Sequence, residues 1–314
     1  MKAKAALVVV AAGLALGAAV APVPVRAQAR PQAPIFGTGI EIINLNLSVT
    51  DAGNNFVTDL GQTDFAVFED GIRQELSLFT HENLPISMVL MIDTSASMEE
   101  KLPTAQAAAI RFTKTLRPQD SAQIVQFNDR ATTLQPFTNE PSLLEAAVRK
   151  TEAAGPTALH NALYIALKDL TKEKRAAELR RRAIILLSDG EDTASLVTDE
   201  QVLDLAKKSE INIYAISLRT SRASDRQRQA FSQAEYLVNA LTRETGGRAY
   251  FPSSIGELDS VYDRIAEELR TLYSVGYVSA NVRRDGKWRR IVVRVPDREG
   301  LTVRHKLGYY APRG

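Results

Sequence analysis

The residues best suited to chemistry in this 314-residue chain follow an apolar run, Met88–Ile92, with the sequence MVLMI. Asp93, Ser95 and Ser97 come directly after it, at alternate positions. Such an apolar run predicts a fully buried strand, whose carboxyl end would bring one carboxylate and two hydroxyls into a small space. These are hard oxygen donors with little negative charge. They suit Mg²⁺ or Mn²⁺, which keep some of their water ligands.

Two later segments supply further oxygen donors. Thr157 follows a Gly-Pro pair and precedes a predicted helix, so its hydroxyl should lie in a loop. Asp189 comes two residues after the apolar run Ala183–Leu187 and should lie at the end of a second strand. Ligands of open parallel sheets bind at the carboxyl ends of the strands. The two carboxylates and three hydroxyls can therefore meet at one edge of the sheet.

Strands and helices alternate from Pro85 to Leu272. This alternation predicts an α/β domain with a doubly wound, mostly parallel sheet that is covered by helices on both faces. The expected strands are Ile86–Ile92, Ala122–Phe127, Ala183–Leu187, Ile211–Leu218 and Arg248–Phe251. The expected helices are a run ending at Leu116, then Pro141–Thr151, Ala158–Leu170, Thr198–Lys208, Gln227–Glu244 and a last helix up to Leu272.

The segments on either side have β periodicity. Apolar and polar residues alternate in Glu41–Thr50 and again between Tyr273 and Tyr310, and shorter strands are expected at Phe65–Phe68 and Gln74–Thr80. Either segment alone has too few strands to be stable. We therefore predict that residues 41–84 and 273–314 build one small antiparallel β-sandwich-like domain, into which the α/β domain of residues 85–272 is inserted.

The amino terminus has the pattern of a secretory signal. Lys2 and Lys4 precede an apolar run, and Val25-Arg26-Ala27 offers a cleavage site. We predict a signal peptide over residues 1–27 and a linker rich in Pro, Ala and Gly over residues 28–40. An uncleaved membrane anchor is the alternative, although the run is short for a span. The expected protein is exported, periplasmic or secreted, with no stable membrane insertion after cleavage.

The chain has 39 basic and 37 acidic residues. Three of the basic residues lie in the predicted signal peptide, which leaves 36 basic against 37 acidic residues in the remainder. This balance gives no reason to expect nucleic acid as a partner. The basic residues of the last strands are interpreted as solvated faces and edge protection, with a polyanion site as the less favoured alternative. The chain has no cysteine, which excludes disulfides and thiol catalysis.

The order and spacing of the five donors resemble the metal-ion-dependent adhesion site of the von Willebrand factor type A domain. That site has Asp-x-Ser-x-Ser after the first strand, a Thr in a later loop and an Asp after the fourth strand. The matching residues are Asp93, Ser95, Ser97, Thr157 and Asp189. The resemblance covers Ile86 to about Leu272. It implies that the hydroxyls bind Mg²⁺ directly, that the carboxylates bind directly or through water, and that a partner protein's carboxylate can take the remaining position.

The flanking segments resemble a bacterial exported subfamily related to von Willebrand factor A. The residues that carry this second resemblance are Val67–Gly71 (VFEDG), Tyr273–Tyr277 (YSVGY) and Gly308–Tyr310 (GYY). One departure from the family is Pro156, which restricts the preceding residue and stiffens the loop. Any movement of this loop on metal binding is expected to be small.

The resemblance implies an exported, non-enzymatic binding or adhesion protein that uses a divalent cation to capture an acidic group of a protein partner. A structural or assembly-scaffold protein with a vestigial metal site is the alternative, and a metal-dependent hydrolase is less favoured. A phosphatase of the haloacid dehalogenase kind needs an Asp where Ser95 stands, and no Gly-x-Ser-x-Gly elbow is present. His160 is interpreted as a satisfied helix residue rather than a base. We predict no catalytic residue.

Overall fold

The computed structural model of the protein describes residues 42–82, 84–172, 180–189, 192–218 and 233–313. The predicted signal peptide and linker lie outside the described residues, as do residues 227–232 of the helix expected at Gln227–Glu244. The strands are β1 Ile42–Thr50, β2 Ala66–Glu69, β3 Ile72–Gln74, β4 Leu76–Thr80, β5 Ile86–Asp93, β6 Ser121–Phe127, β7 Ala131–Thr138, β8 Arg181–Ser188, β9 Ile211–Ser217, β10 Ala249–Tyr250, β11 Tyr273–Val278, β12 Trp288–Arg294, β13 Thr302–Arg304 and β14 Gly308–Tyr310. The helices are α1 Leu102–Lys114, α2 Pro141–Arg149, α3 Leu159–Lys172, α4 Asp199–Lys208, α5 Gln233–Thr245 and α6 Leu258–Thr271. A search of the described part of the chain finds no helix with the length and apolar character needed to cross a membrane.

The central sheet has the strand order β10-β9-β8-β5-β6-β7. Neighbouring strands from β10 to β6 run parallel, and β7 is antiparallel to β6. The chain thus winds outward from β5 in both directions, through β6 on one side and through β8 on the other. The predicted fold class, a doubly wound and mostly parallel α/β sheet, is confirmed.

Strand β5 explains why the sequence around it is a continuous apolar run. All eight of its residues are buried. Met88 and Leu90 pack into a core with residues of α1 and α6, while Val89 and Met91 point to the other face and pack with residues of α3 and α5. Because successive side chains of a strand point to opposite faces, a strand covered on both sides needs apolar residues at every position.

Strand β7 has no counterpart among the predicted strands. It forms the edge of the central sheet, and its residues are half-buried or exposed. It also contains Pro136, which cannot donate to a ladder and is tolerated on an edge strand. A strand with one free edge and little burial lacks the apolar periodicity that would have predicted it.

The two ends of the chain build a pair of four-stranded sheets, in the orders β13-β1-β11-β4 and β14-β12-β2-β3. Strands from before and after the α/β part are neighbours in both sheets. Within them β1 pairs antiparallel with β11, and β12 pairs antiparallel with β2. The buried residues of both sheets form one core, which includes Ile43, Leu45, Leu47, Ile291, Val293 and Val295. We call this part the β-sandwich; the domain boundaries at residues 84/85 and 272/273 stay predictions.

The strand expected at Gln74–Thr80 is wrong in its bounds. The structure has two short strands there, β3 and β4, and they belong to different sheets. Glu75 between them is exposed, and β4 pairs with β11 while β3 pairs with β2. The chain changes sheets at this point. Both strands have β-type residues, so periodicity alone does not reveal the break.

A buried carboxylate explains the residues behind the second resemblance. Glu69 is 2% exposed and accepts hydrogen bonds from the Tyr277 hydroxyl at 3.0 Å, the Tyr309 hydroxyl at 3.0 Å and Ser279 Oγ at 2.7 Å. Burial raises the pKa of Tyr277, and the neighbouring Glu69 raises it further. Burial likewise raises the pKa of Tyr309 to about 12. Both phenols therefore remain protonated donors, and the VFEDG, YSVGY and GYY segments meet at this carboxylate.

Candidate functional site

The predicted donors lie at the carboxyl edge of the central sheet. Asp93 is the last residue of β5, and Asp189 directly follows β8. The two strands are parallel neighbours, with Ile92 opposite Leu187, so their carboxyl ends lie side by side. This placement follows from the apolar runs themselves, because each buried strand ends where its first polar residue reaches the rim.

Four of the five predicted residues are joined by one chain of hydrogen bonds. Asp93 Oδ1 accepts from the Ser95 backbone N–H at 2.8 Å. The hydroxyls of Ser95 and Ser97 are 3.1 Å apart, and Ser97 Oγ donates to Asp189 Oδ1 at 2.8 Å. Asp93, Ser95 and Asp189 are buried, whereas Ser97 is exposed. The site therefore has a buried floor and one side that faces solvent.

Thr157 is brought to this edge by backbone contacts. The Ala96 N–H donates to the Gly155 carbonyl at 2.9 Å, and the Ala154 N–H donates to the Thr94 carbonyl at 2.8 Å. Gly155 has φ +75°, a left-handed conformation that glycine adopts without strain. Thr157 is 4% exposed, and its hydroxyl has no hydrogen-bond partner among the residues that the structure describes.

The Asp93 carboxylate has an environment that a cation would improve. Burial raises its pKa, while hydrogen bonds from Ser188 and Ser95 lower it and the charge of Asp189 raises it again. Ser188 Oγ donates to Asp93 Oδ2 at 2.5 Å. Two carboxylates in a partly dry space repel each other, and a divalent cation between them would remove that repulsion. The donor set therefore suits a hard divalent ion.

Lys101 is the site residue that the sequence interpretation missed. Its ammonium forms an ion pair with Asp189 Oδ2, and its side chain is 23% exposed while that of Asp189 is 2% exposed. Lys101 occupies the N-cap position of α1, eight positions after Asp93 in the sequence. The Lys101 ammonium is thus already paired with Asp189, one of the predicted metal ligands. A lysine shortly after the Asp-x-Ser-x-Ser segment was the only signal available, and it carries little information alone.

The loop after β8 is held against the start of α3. Asp192 Oδ1 accepts from Ser195 Oγ at 2.6 Å and from the His160 N–H at 3.1 Å, and Asn161 Oδ1 accepts from the Leu196 and Val197 N–H groups. His160 Nδ1 lies 3.2 Å from the Val197 carbonyl. Through these contacts His160 helps to hold the loop after β8 in place, in agreement with its interpretation as a satisfied helix residue.

The remaining two histidines lie in the β-sandwich region. The His81 ring stacks on Tyr273 with ring centroids 4.2 Å apart, and burial lowers its pKa. His305 is 8% exposed, accepts from the Val293 N–H at 3.2 Å, and also has its pKa lowered by burial. Across the described ranges, no group of three or more His, Cys, Asp or Glu is arranged to hold a metal ion. A metal at the sheet edge would therefore depend on the serine and threonine hydroxyls and on water.

The comparison with protein families agrees with this geometry. Residues 88–191 match the family profile described as the von Willebrand factor type A domain, and this segment includes all five predicted donors. The chain therefore contains a domain of the von Willebrand factor type A family. The predicted resemblance to the von Willebrand factor type A domain is confirmed for residues 88–191, and the adhesion site within it stays a prediction.

Several curated proteins are similar in sequence. A UPF0353 protein of Nocardia farcinica is 29% identical over 213 residues, which are 58% of this chain and 63% of the relative. A UPF0353 protein of Mycolicibacterium gilvum is 25% identical over 201 residues, which are 58% of this chain and 60% of the relative. The inter alpha-trypsin inhibitor heavy chain 4 of Mus musculus is 30% identical over 127 residues, 37% of this chain and 14% of the relative. The chain thus spans 60% to 63% of these two UPF0353 proteins.

Solved structures with a similar backbone include an aerotolerance-related membrane protein of Bacteroides fragilis, with a TM-score of 0.46 and 15% identity over 59% of this chain and 98% of that one. The PilB minor pilin of Streptococcus sanguinis has a TM-score of 0.48 and 14% identity over 61% of this chain and 63% of that one. Proximal thread matrix protein 1 of the mussel byssus has a TM-score of 0.49 and 15% identity over 64% and 50% of the two chains. These similarities are in backbone fold.

Proposed function

We propose that the protein is an exported, non-enzymatic binding protein whose sheet edge holds one divalent cation, Mg²⁺ or Mn²⁺, and that an acidic side chain of a protein partner completes the coordination. Asp93, Ser95, Ser97, Thr157 and Asp189 would hold the ion. The observation that carries the proposal is the continuous hydrogen-bonded chain from Asp93 through Ser95 and Ser97 to Asp189. Five hard oxygen donors with two negative charges leave a bound cation attractive to one more anion.

The test of this function is binding with and without chelator. Isothermal titration of the purified protein with MgCl₂ and MnCl₂ measures the metal, and a pull-down from the native exported fraction in Mg²⁺ or in EDTA identifies the partner. We expect metal uptake in the millimolar range or tighter, and capture of the partner only with metal. Neutralising the partner's acidic residue should abolish capture. Equal capture in EDTA would contradict the proposal.

A second candidate function is favoured by one contact. The Lys101 ammonium on Asp189 supplies positive charge at the same edge. A structural or scaffold protein could use this ion pair in place of a metal, since the pair neutralises one of the two carboxylates. The titration separates the two functions, because only the adhesion site takes up a divalent cation.

Lys101→Met should raise the affinity for Mn²⁺ by about tenfold, a typical size for coupling between two bound charges. The ammonium competes with the cation for Asp189 and repels it. The ammonium can move away from Asp189 without a change in the backbone. The Lys101 N–H and carbonyl are hydrogen-bonded to Met98 and Ala105, and these bonds do not involve the side chain. Free Mn²⁺ measured by electron paramagnetic resonance gives the affinity.

The matched control is Lys114→Met, which removes an exposed α1 lysine that pairs with Glu145 away from the site. It should bind Mn²⁺ as the wild type does. If Lys101→Met binds Mn²⁺ more weakly than the wild type, Lys101 positions Asp189 for the metal and does not compete with it.

Thr157→Ala should weaken metal binding by about tenfold, because it removes one neutral oxygen donor and leaves both carboxylates in place. Thr157→Ser keeps the hydroxyl and should bind nearly as the wild type does. Titration calorimetry of both variants gives the comparison. Equal affinity of Thr157→Ala and wild type would remove Thr157 from the ligand set.

A further inference from the structure

A second polar cavity lies at the opposite end of the central sheet. Strand β8 runs from Arg181 at that end to Ser188 at the donor edge. At about 3.3 Å per residue, the two ends are roughly 23 Å apart. The cavity has a volume of about 60 Å³ and opens to solvent. Its walls come from β1 and β11 of the β-sandwich and from β8 and β9 of the central sheet.

Partly buried polar contacts already join the two walls. Asn46 of β1 donates through Nδ2 to Asn212 Oδ1 of β9 at 3.0 Å, and Ser274 Oγ of β11 donates to Asn46 Oδ1 at 3.2 Å. Asn212 Nδ2 in turn donates to the Thr245 carbonyl at 3.0 Å. The cavity is therefore bounded by hydrogen-bonded, ordered side chains.

The lining is strongly basic. Arg180, Arg181, Arg182 and Lys306 contribute to it, and Glu210 is the single carboxylate among the described lining residues. Glu210 Oε2 already accepts from Arg182 at 3.1 Å. Arg180 is already engaged by other partners. Among the described lining residues, one carboxylate thus faces the cationic side chains of Arg181, Arg182 and Lys306, and the local field is positive.

Arg181 is held almost entirely by neutral groups. It is 2% exposed, and its guanidinium donates to the carbonyls of Leu269 at 3.0 Å and Leu272 at 2.5 Å. Its Nε has no hydrogen-bond partner among the described residues. Burial and the charge of Arg117 lower its pKa to about 10, and the nearby Tyr214 and Asp120 offset this in part. A buried charge without an opposite charge in contact is costly, so an anion nearby would stabilise it.

Lys306 lies on the other side of the cavity. It is half-buried and forms an antiparallel bridge with Thr245. Within the described part of the chain its ammonium makes no ion pair. Burial lowers its pKa, and the charge of Glu210 offsets this in part. The Lys306 ammonium can therefore still donate hydrogen bonds to an anion, and it lies in a region of positive charge.

We propose that this cavity, lined by Arg181, Arg182 and Lys306, binds a small oxyanion with two negative charges, for which inorganic phosphate is the probe. The anion would offset the excess of cationic side chains and accept hydrogen bonds from the ammonium of Lys306. Since the β-sandwich and the central sheet both line the cavity, the bound anion would also tie these two parts together.

The test is thermal unfolding and titration calorimetry of the full chain in EDTA, with up to 5 mM phosphate or chloride at matched ionic strength. EDTA makes the result independent of the proposed metal site. The variant is Lys306→Met. The control is Lys208→Met, which removes an exposed lysine that pairs with Asp204 and does not line the cavity. Phosphate should raise the melting temperature of wild type and Lys208→Met by several degrees, by mass action on the folded state. In Lys306→Met the affinity should fall by at least about tenfold.

Phosphate also stabilises folded proteins by exclusion from their surfaces, which would act on all variants alike. An equal rise in melting temperature for wild type and Lys306→Met would therefore overturn the proposal. So would the absence of binding heat for phosphate in the wild type, a result that needs no variant. If Lys306→Met does not fold, Lys306→Gln gives the same comparison with a polar side chain.

Discussion

Asp93→Ala should lower the affinity for Mg²⁺ and Mn²⁺ by more than about 100-fold, beyond the usual effect of removing a supporting residue around a metal. Asp93 is 0% exposed and is oriented by Ser188 and by the Ser95 N–H. Its loss removes one of two charges that would balance the cation. Titration calorimetry of the purified variant gives the affinity, and partner capture should be lost with it.

The chain offers a matched control for this change. Asp129 is exposed in the turn after β6, at the same edge of the sheet. Asp129→Ala removes the same charge without touching the five donors and should keep the wild-type affinity. Circular dichroism should show that Asp93→Ala stays folded, because the site is at the rim of the sheet. Asp93→Asn, which keeps the shape, serves if it does not. An unchanged affinity in either Asp93 variant contradicts the metal site.

Glu69→Ala should destabilise the protein by about 3–5 kcal/mol. The change leaves a cavity in the β-sandwich and removes the acceptor of three buried or part-buried hydroxyls, each of which costs about 1–3 kcal/mol when left without a partner. Part of this sum is recovered when side chains rearrange and water enters. Chemical denaturation in urea, followed by the fluorescence of Trp288 in β12, measures the loss.

Two further variants show whether the hydroxyls are responsible. Tyr277→Phe removes one donor and keeps the ring, so it should cost about 1–2 kcal/mol. Glu75→Ala removes an exposed carboxylate near the same strands and should change stability by less than about 0.5 kcal/mol. A Glu69→Ala variant as stable as Glu75→Ala would show that the buried carboxylate does not hold the two chain ends together.

The strands of the central sheet could be predicted because buried strands have apolar runs that are visible in the local sequence. Strand β5 is covered on both faces and is apolar from Met88 to Ile92, β8 is apolar from Ala183 to Leu187, and β9 is mostly apolar. The polar residues that end β5 and β8 then had to lie at one edge, because parallel neighbours end together. Five oxygen donors in family order could therefore be named from the sequence, although their role as metal ligands stays a proposal.

Sequence periodicity could not reveal strands that form only because a neighbouring strand pairs with them. The edge strand β7 is half-buried or exposed and contains a proline, so its pattern is that of a loop. Strands β3 and β4 look like one strand, yet they pair with different sheets. In both cases the hydrogen bonds to a neighbouring strand, rather than the intrinsic preference of the residues, determine the structure.

Contacts between side chains that are distant along the chain were decided only by the tertiary structure. Lys101 meets Asp189 across 88 residues, and Glu69 meets Tyr277 and Tyr309 across 208 and 240 residues. The sequence by itself determined which residues are apolar enough to be buried and which polar residues end the buried strands. It could not determine which charges meet, because periodicity reports the burial of a residue and carries no information about the surface packed against it.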